Sequence, residues 1–551
     1  MSLLSKALPP VPVETARIAQ AAFPKGNRYL TLRDELGSVY ADEAFAELFS
    51  GRGQPAQSPA VLALVTVLQF AENLSDREAA DQVRSRIDWK YLLGMELTDP
   101  GFDYSLLSEF RARLVETDAQ RLLLDRLLQL ARERNLLKAR GQQRTDATHV
   151  LAAIRDLNRF EVVGETLRHA LNALAAVAPE WLQSWVPADW FERYGRRIEQ
   201  FRLPRTEAAR LAWAVQVGAD GARLLAAAYA DHAPRPVRAH PAVDVLRRVW
   251  LQQFYWENDQ IFWRAKDNIP PAAVMIESPY DPQARYSYKR DIEWSGYKGH
   301  VTETCDPDQP SLITQVTTTP ATTPDAQALP DIQANLAARD LLPGTHLVDA
   351  GYTTAANLAD SQTSHQIDLI GPVPADTTRQ AQQQQGFDLT RFEIDWEQQT
   401  VTCPRGQQSV TWSESRNEFD HPVIHIRFAA AACRACPART ACVQSPSGPR
   451  SLKLRPREQH LALQAARQRQ AQPEFWPVYG KRAGIESTHS QAVRVCDFRR
   501  SRYWGLAKTH LQHILSAVAI NFIRLADWFA HPEPRHRHPS AFLALAGAVP
   551  A

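Results

Sequence analysis

At 551 residues, with 44% hydrophobic residues and a formal net charge of +2, the chain is too long for one ordinary core and too neutral to be a basic coat for nucleic acid. Its six cysteines are too few for a disulfide framework in a chain of this length, and no uninterrupted apolar run marks a membrane span. The first residues, Met-Ser-Leu-Leu-Ser-Lys, carry no cleavage signal, so a cytoplasmic protein of about two to four domains is expected.

Residues 1–135 read as helical. After Ser58-Pro59 the run Val61, Leu62, Leu64, Val65, Val67, Leu68 and Phe70 is apolar on nearly every side, which predicts a buried helix. Ser75 and Glu78 have the spacing of a capping box, and the helix they open carries Ala79, Ala80 and Val83 at helical spacing. A further helix from Ser105 to Leu114 sets Leu106, Leu107, Phe110 and Leu114 against Arg111 and Arg113. These short helices fit a helix-turn-helix arrangement and, equally, a bundle with solvated arginines.

From Arg140 the pattern changes. Thr145, Asp146 and Thr148 stand at the end of an expected short strand, and residues 165–275 return to helix, rich in Ala, Leu, Arg and Trp, as an insertion. Strands resume at Arg285–Thr304, with Ser295-Gly296 as the expected hairpin turn, and again at Ser311–Thr319. A helix over Ala326–Leu341, a strand over 345–352, a helix from Ala355 and a buried strand from Ile367 complete an α/β core with long insertions. Residues 376–464 look separate, with a Gln-rich opening at Gln380–Gln385 and four cysteines. Glu474–Trp528 is helical, with Leu511, Leu515, Val518, Phe522 and Leu525 on one stripe. The Pro-rich tail from His531 reads as a flexible end, in which His531, His536 and His538 are weak metal candidates.

Charge is unevenly spread. Between Ser451 and Lys508 there are twelve basic and four acidic residues, a local excess of eight positive charges suited to a phosphate backbone. Inside it lies Tyr479-Gly-Lys-Arg482-Ala-Gly-Ile-Glu486, followed by Arg494, Arg499, Arg500 and Arg502. Glu486 reads either as a metal carboxylate or as a solvated partner of Arg482 four residues earlier. Asp349, after Leu347-Val348, reads either as a carboxylate at the C-terminal edge of a strand, where open α/β sheets place their sites, or as an Asx turn into Gly351. Asp146 alone reads best as a turn or capping residue. Taken together, Asp146, Asp349 and Glu486 make a hard oxygen set of the kind that holds Mg²⁺ while leaving positions open for phosphate and water.

The stretches Asp146-Ala-Thr148, Val348–Tyr352 and Tyr479/Arg482/Glu486 resemble the DDE transposases of bacterial insertion sequences, closest to those with a helical N-terminal domain and a four-cysteine block before the glutamate. Trp294–His300 and Arg499–Gly505 also look like that subgroup. The resemblance implies an RNase H-like fold and hydrolysis at transposon ends that depends on Mg²⁺ or Mn²⁺. It also implies transfer of the freed 3′-hydroxyl to target DNA. Its partners would be double-stranded DNA, as terminal inverted repeats and target, and a second copy of the chain in a homodimer. Asp146, Asp349 and Glu486 become the metal carboxylates, and Tyr479 and Arg482 the contacts near the cleaved end. Where the family often has lysine seven positions after the glutamate, this chain has Val493, with Arg494 beside it. The rival from another class is a non-catalytic DNA-binding relative of the same fold.

On this reading the chain divides into a helical DNA-binding or dimerisation domain (1–135), the first part of the core (136–164), the helical insertion (165–275), the continued core (276–375), the cysteine-rich insertion (376–464), the C-terminal core helices (465–530) and a tail (531–551). In the cysteine-rich part, Cys433-Arg-Ala-Cys436, Cys442 and Cys403 have spacings that can close a structural Zn²⁺ site, the alternative being ordinary reduced thiols. Cys305 and Cys496 are expected to be buried. Lys298 and His300 follow the expected hairpin turn, where they reach DNA or the active site, or are exposed strand residues.

Overall fold

The computed structural model describes residues 2–3, 8–50, 52–382, 386–443, 445 and 447–531, so the tail expected to be flexible, with His536 and His538, lies outside the described residues apart from His531. The chain is mixed α/β and divides into two units. Unit 1 comprises the described parts of Met1–Lys138, Ala147–Thr323 and Glu486–Ala551; unit 2 comprises Ala139–Asp146 and Pro324–Ile485. The boundary falls within the first strand, β1 (Gln142–Leu151).

In unit 1 the helix Leu506–Ala530 packs against the helices Arg28–Leu36, Pro59–Ala71 and Leu122–Glu133. Its Leu511, Leu515, Val518, Phe522 and Leu525 are buried, as the stripe predicts. It is long and apolar enough to cross a membrane, yet 67% of its most apolar window is buried inside the protein, as in the core helix of a soluble fold. Pro59–Ala71 is buried from Pro59 to Phe70, with Ser58 Oγ capping the amide of Val61 at 3.3 Å. Ser75 and Glu78 form the full capping box. Arg111 is not solvated, as the bundle reading would have it. It is buried, donating to Asp76 at 2.6 Å and to Gln69 at 3.2 Å, because its helix packs on Pro59–Ala71 and leaves no water on that side.

The helices Arg159–Val177, Glu207–Tyr229 and Pro241–Gln253 enclose a core of their own around Val163, Leu167, Val217, Leu224, Leu246 and Trp250. Helix does not run on through 275. At Phe254 the chain turns to a hairpin, β2 (Phe254–Glu257) and β3 (Gln260–Trp263), whose aromatic residues favour strand and whose Asn258 and Asp259 accept the positive φ of the turn.

Beyond it, β4 (Arg285–Lys289), β5 (Ile292–Thr304) and β6 (Ile313–Pro320) form antiparallel ladders. The hairpin turn is Arg290-Asp291, not Ser295-Gly296. Gly296 lies inside β5, where a side chain would run into the Val150 carbonyl, so its role is close backbone approach.

In unit 2 the first half of β1 pairs in parallel with β7 (Thr345–Val348), Gln142 opposite Thr345 and Thr145 opposite Val348. β7 leads through the helix Ala355–His365 to the parallel β8 (Asp368–Ile370). The cysteine-bearing part has its own small sheets. β9 (Glu393–Asp395) pairs with β10 (Thr400–Thr402), and β12 (Pro422–Phe428) lies between β11 (Ser409–Arg416) and β13 (Ser451–Leu454). Phe392, Val401, Ile424, Ile426, Phe428, Leu452 and Leu454 form a core there, so this segment is less poor in buried apolar residues than its composition suggests.

Candidate carboxylate–arginine site

Asp146 lies mid-strand in β1, not at a strand end, because the chain beyond it stays extended as far as Leu151. Its side chain is buried. The residue before it, Thr145, is fully buried and bonded at 2.6 Å to His346 on β7. Burial without a charged partner pulls the His346 imidazole down to about 4, so it is neutral and serves as packing. The Thr145–His346 pair locks β1 to β7 next to Asp146.

Asp349 follows the last residue of β7 and is half-buried. Its Oδ1 accepts the Gly351 amide at 2.9 Å, so the Asx turn exists and leaves the carboxylate at the strand edge. The two readings of this residue are therefore not exclusive. A Cβ at Gly351 would stand 3.0 Å from Asp349 Oδ1 and 3.2 Å from Asp325 Oδ2, which places a third carboxylate beside the second. Asp325, the first residue of the helix Asp325–Ala337, is buried and was not anticipated; its only sequence signal is an acid directly after Pro324 at a helix start.

The Tyr479–Ile485 stretch is brought to β1 by backbone and side-chain contacts. Arg144 donates to the Lys481 carbonyl at 2.6 Å, and Lys481 Nζ donates to Gln142 Oε1 at 2.9 Å. The Arg144 guanidinium lies against Gly484, where any side chain would collide with it. This docking delivers Arg482 to Asp146, Nη2 to Oδ2 at 2.6 Å, with side chains only 15% and 10% exposed.

Burial opposes the arginine's charge, but Asp146, Tyr479 and Asp349 outweigh it and hold the guanidinium above its ordinary pKa. Tyr352, fully buried, is pushed well above the usual phenol range by burial and then by Asp325, Asp146 and Asp349, with Arg482 opposing. Tyr479 is raised mainly by burial, Arg482 opposing and Asp349 and Asp146 adding. Its ring stacks on Phe475 with centroids 5.7 Å apart. Unit 2 thus gathers Asp146, Asp349, Tyr479 and Arg482 in one electrostatic neighbourhood, with Asp325 and Tyr352 added.

Glu486 belongs to unit 1, exposed in the first turn of the helix Gly484–Cys496. Two residues on, Thr488 donates at 2.6 Å to the fully buried Glu303 at the end of β5, and Arg524 donates to the same carboxylate at 2.6 Å and to Thr488 at 2.6 Å. This clamp fixes the helix from which Glu486 projects. Glu303 and Arg524 carried no signal in the sequence, since each pairs only through the tertiary fold.

The other basic residues expected to meet DNA also lie in unit 1. Lys298 donates to the Thr323 carbonyl at 2.8 Å, and Arg499 to Thr148 Oγ1 at 2.8 Å. Arg500 backs an isolated bridge to Leu151. Arg502 lies over the Phe70 ring at 4.7 Å and bonds Leu74 O and Asn73. Its guanidinium is therefore engaged with the N-terminal helices. Arg494 is exposed, and His300 is buried against Thr319 at 3.0 Å, which removes the exposed-strand reading for it.

Elsewhere in unit 2, Cys403, Cys433, Cys436 and Cys442 line one small cavity, all half-buried and reduced. Burial raises the Cys442 thiol, Arg450 opposes, and the other three thiols add to the rise, so all four lie within electrostatic reach. Among the described residues no three His, Cys, Asp or Glu side chains are drawn together tightly enough to enclose a metal ion, at the thiols or at the carboxylates. Cys496 is buried as expected and Cys305 half-buried.

Two family models match the chain. One, described as a transposase DDE domain, covers residues 402–526 and so includes the four cysteines, Tyr479, Arg482 and Glu486. The other, described as a transposase domain, covers residues 17–113 in the N-terminal helices. The chain is a relative of the DDE transposases. Asp146 and Asp349 lie outside both matched segments of this transposase relative. Neither a curated protein nor a solved structure matches the chain significantly.

Proposed function

We propose that this chain is a cut-and-paste DNA transposase with an RNase H-like core, in which Asp146, Asp349 and Glu486 are the metal carboxylates and Tyr479 and Arg482 contact the cleaved end. The observation that carries the reading is the meeting of Asp146, Asp349 and Arg482 in unit 2, from segments far apart in sequence, directly before the glutamate of the matched DDE domain. The carboxylate oxygens are the hard donors that Mg²⁺ or Mn²⁺ takes, and Asp349 keeps its second oxygen clear of the Gly351 bond. Bound divalent metal would supply activation of the attacking oxygen and stabilisation of the leaving one.

The residues of the chain do the rest. Asp146 and Asp349 are fixed by the Thr145–His346 bond and by the Asx turn. Arg482 neutralises Asp146 and, once a scissile phosphate arrives, offers it a forked donor. Tyr479, kept protonated, presents a hydroxyl donor beside it. The substrates are duplex terminal repeats and target DNA, worked on by a homodimer in the bacterial cytoplasm, at the nucleoid. Lys298, Arg494, Arg499, Arg500 and Arg502 would frame the DNA path. The four thiols supply the soft donor set of a structural Zn²⁺, and residues 376–464 form an insertion that it braces. Cleavage of the DNA flanking this chain's own gene, assayed with and without Mg²⁺, tests the reading. Undiminished cleavage by Asp349→Ala would remove it.

A further inference from the structure

Unit 1 contains a second site that the carboxylate chemistry does not use. A cavity of about 320 Å³ is lined by Arg155, Arg168, Arg197, Glu165, Tyr280 and Trp504, among others. Its volume falls at the lower end of the roughly 300–1,000 Å³ of ordinary small-ligand pockets. Glu165, buried, is consumed internally. It accepts from Arg168 at 3.1 Å, from the Tyr280 hydroxyl at 2.8 Å and from the Ile198 amide. Arg168 is thereby neutralised and Arg155 is faced by the buried Glu161 at 3.4 Å, which leaves one net positive charge among these side chains. Arg155 and Arg197 are both exposed, and Arg155 is steadied by the Ile198 carbonyl at 2.6 Å.

Trp504 forms the apolar wall. It is 56% exposed, unusual for an indole whose loop is held so firmly. Its Nε1 donates to the Ala153 carbonyl at 2.8 Å, the next amide, Gly505, donates to buried Asp281 at 3.0 Å, and one face lies toward Tyr280 with centroids 5.6 Å apart. A rigid exposed aromatic face beside two exposed guanidinium groups is the chemistry that takes a nucleobase by stacking and its phosphate by charge.

We propose that this pocket receives one unstacked nucleotide of a DNA strand, its base on Trp504 and its phosphate on Arg155 and Arg197. The proposal rests on the reading that the chain acts on DNA. Duplex alone offers no free base face, so the pocket acts where a strand has lost its partner.

The test uses the full-length protein, fluorescence anisotropy, and two labelled probes, an oligothymidylate and a duplex of equal length. Trp504→Ala is expected to weaken oligothymidylate binding by about 5- to 100-fold, the size of a lost base stack, and to change duplex binding far less. Trp504→Phe keeps a ring but loses the Ala153 bond, and is expected to bind almost as wild type. Each of Arg155→Gln and Arg197→Gln should reduce the salt slope of single-strand binding by about 0.7. Equal losses on both probes, a Trp504→Phe variant as weak as Trp504→Ala, or competition by thymidine monophosphate as potent as by the oligomer would each overturn the pocket. Wild-type protein that binds duplex but not oligothymidylate also overturns it while leaving the transposase reading intact. Failure to bind either probe would sink both.

Discussion

The carboxylate–arginine site and the four-thiol cavity lie in the same unit and gather potential metal donors by opposite means. Cys403, Cys433, Cys436 and Cys442 come from one short stretch, and local turns suffice to bring them to one cavity. Asp146 and Asp349 come from distant parts of the chain and meet because β1 and β7 pair in parallel and the Tyr479–Ile485 stretch docks on β1. Arg482 answers the Asp146 carboxylate in an ion pair, whereas burial and mutual proximity raise the pKa of a thiol such as Cys442. A thiol site therefore waits for an ion to take its protons, while a carboxylate site needs a counter-charge even without one.

The largest expected effect lies at the carboxylates. Asp349→Ala should lower the cleavage rate by roughly a thousandfold or more, as for lost metal assistance, with little change in melting temperature since the residue is only half-buried. A large fall in melting temperature would make Asp349 a structural turn residue first.

At the thiols the balance should reverse. The double substitution Cys433→Ser with Cys436→Ser should abolish zinc content, measured by elemental analysis, and make the 386–443 region sensitive to protease. If wild-type protein carries no zinc after purification without chelators, the contrast between the two sites collapses.

A smaller effect separates charge from geometry in the ion pair. Arg482→Gln removes the cation paired with buried Asp146 and should cost about 3 kcal/mol in chemical unfolding, while Arg482→Lys should recover part of that but not the forked contact. Equal stabilities for all three proteins would mean that the pair is solvated.

The smallest expected effect is in pH. His346 and His510 sit at about 4 and His513 at about 3, each lowered by burial from 6.5. A folded pKa below the unfolded one means that the unfolded chain binds more protons in that window. Stability should therefore be full above pH 6.5 and fall as pH drops toward about 4. His346→Gln should make thermal melts less steep in pH over that range, and an unchanged slope would assign the acid sensitivity elsewhere.

Several features were legible without the fold. The capping box at Ser75 and the buried Pro59–Ala71 helix follow from local hydrogen bonding and apolar density, which neighbours do not alter. The stripe of Leu506–Ala530 survives for the same reason. The Ser295-Gly296 turn failed because a glycine permits both a turn and a tight crossing, and only the neighbouring Val150 carbonyl decides between them. The bundle reading left Arg111 solvated because a charge pattern does not reveal that a second helix covers it.

Sequence by itself determined the helical N-terminal part, the order of the carboxylate motifs, the basic stretch around Glu486 and the family resemblance that two matched models support. These reside in residue type and short spacing. Tertiary structure alone decided that Asp146 lies mid-strand beside Arg482, that Asp325 approaches Asp349 across Gly351, that Glu303 and Arg524 clamp the helix of Glu486, and that Trp504 walls an arginine-lined pocket. Each depends on contacts between segments distant in the chain, and electrostatics at such contacts is set by distance and burial, which a linear sequence does not contain.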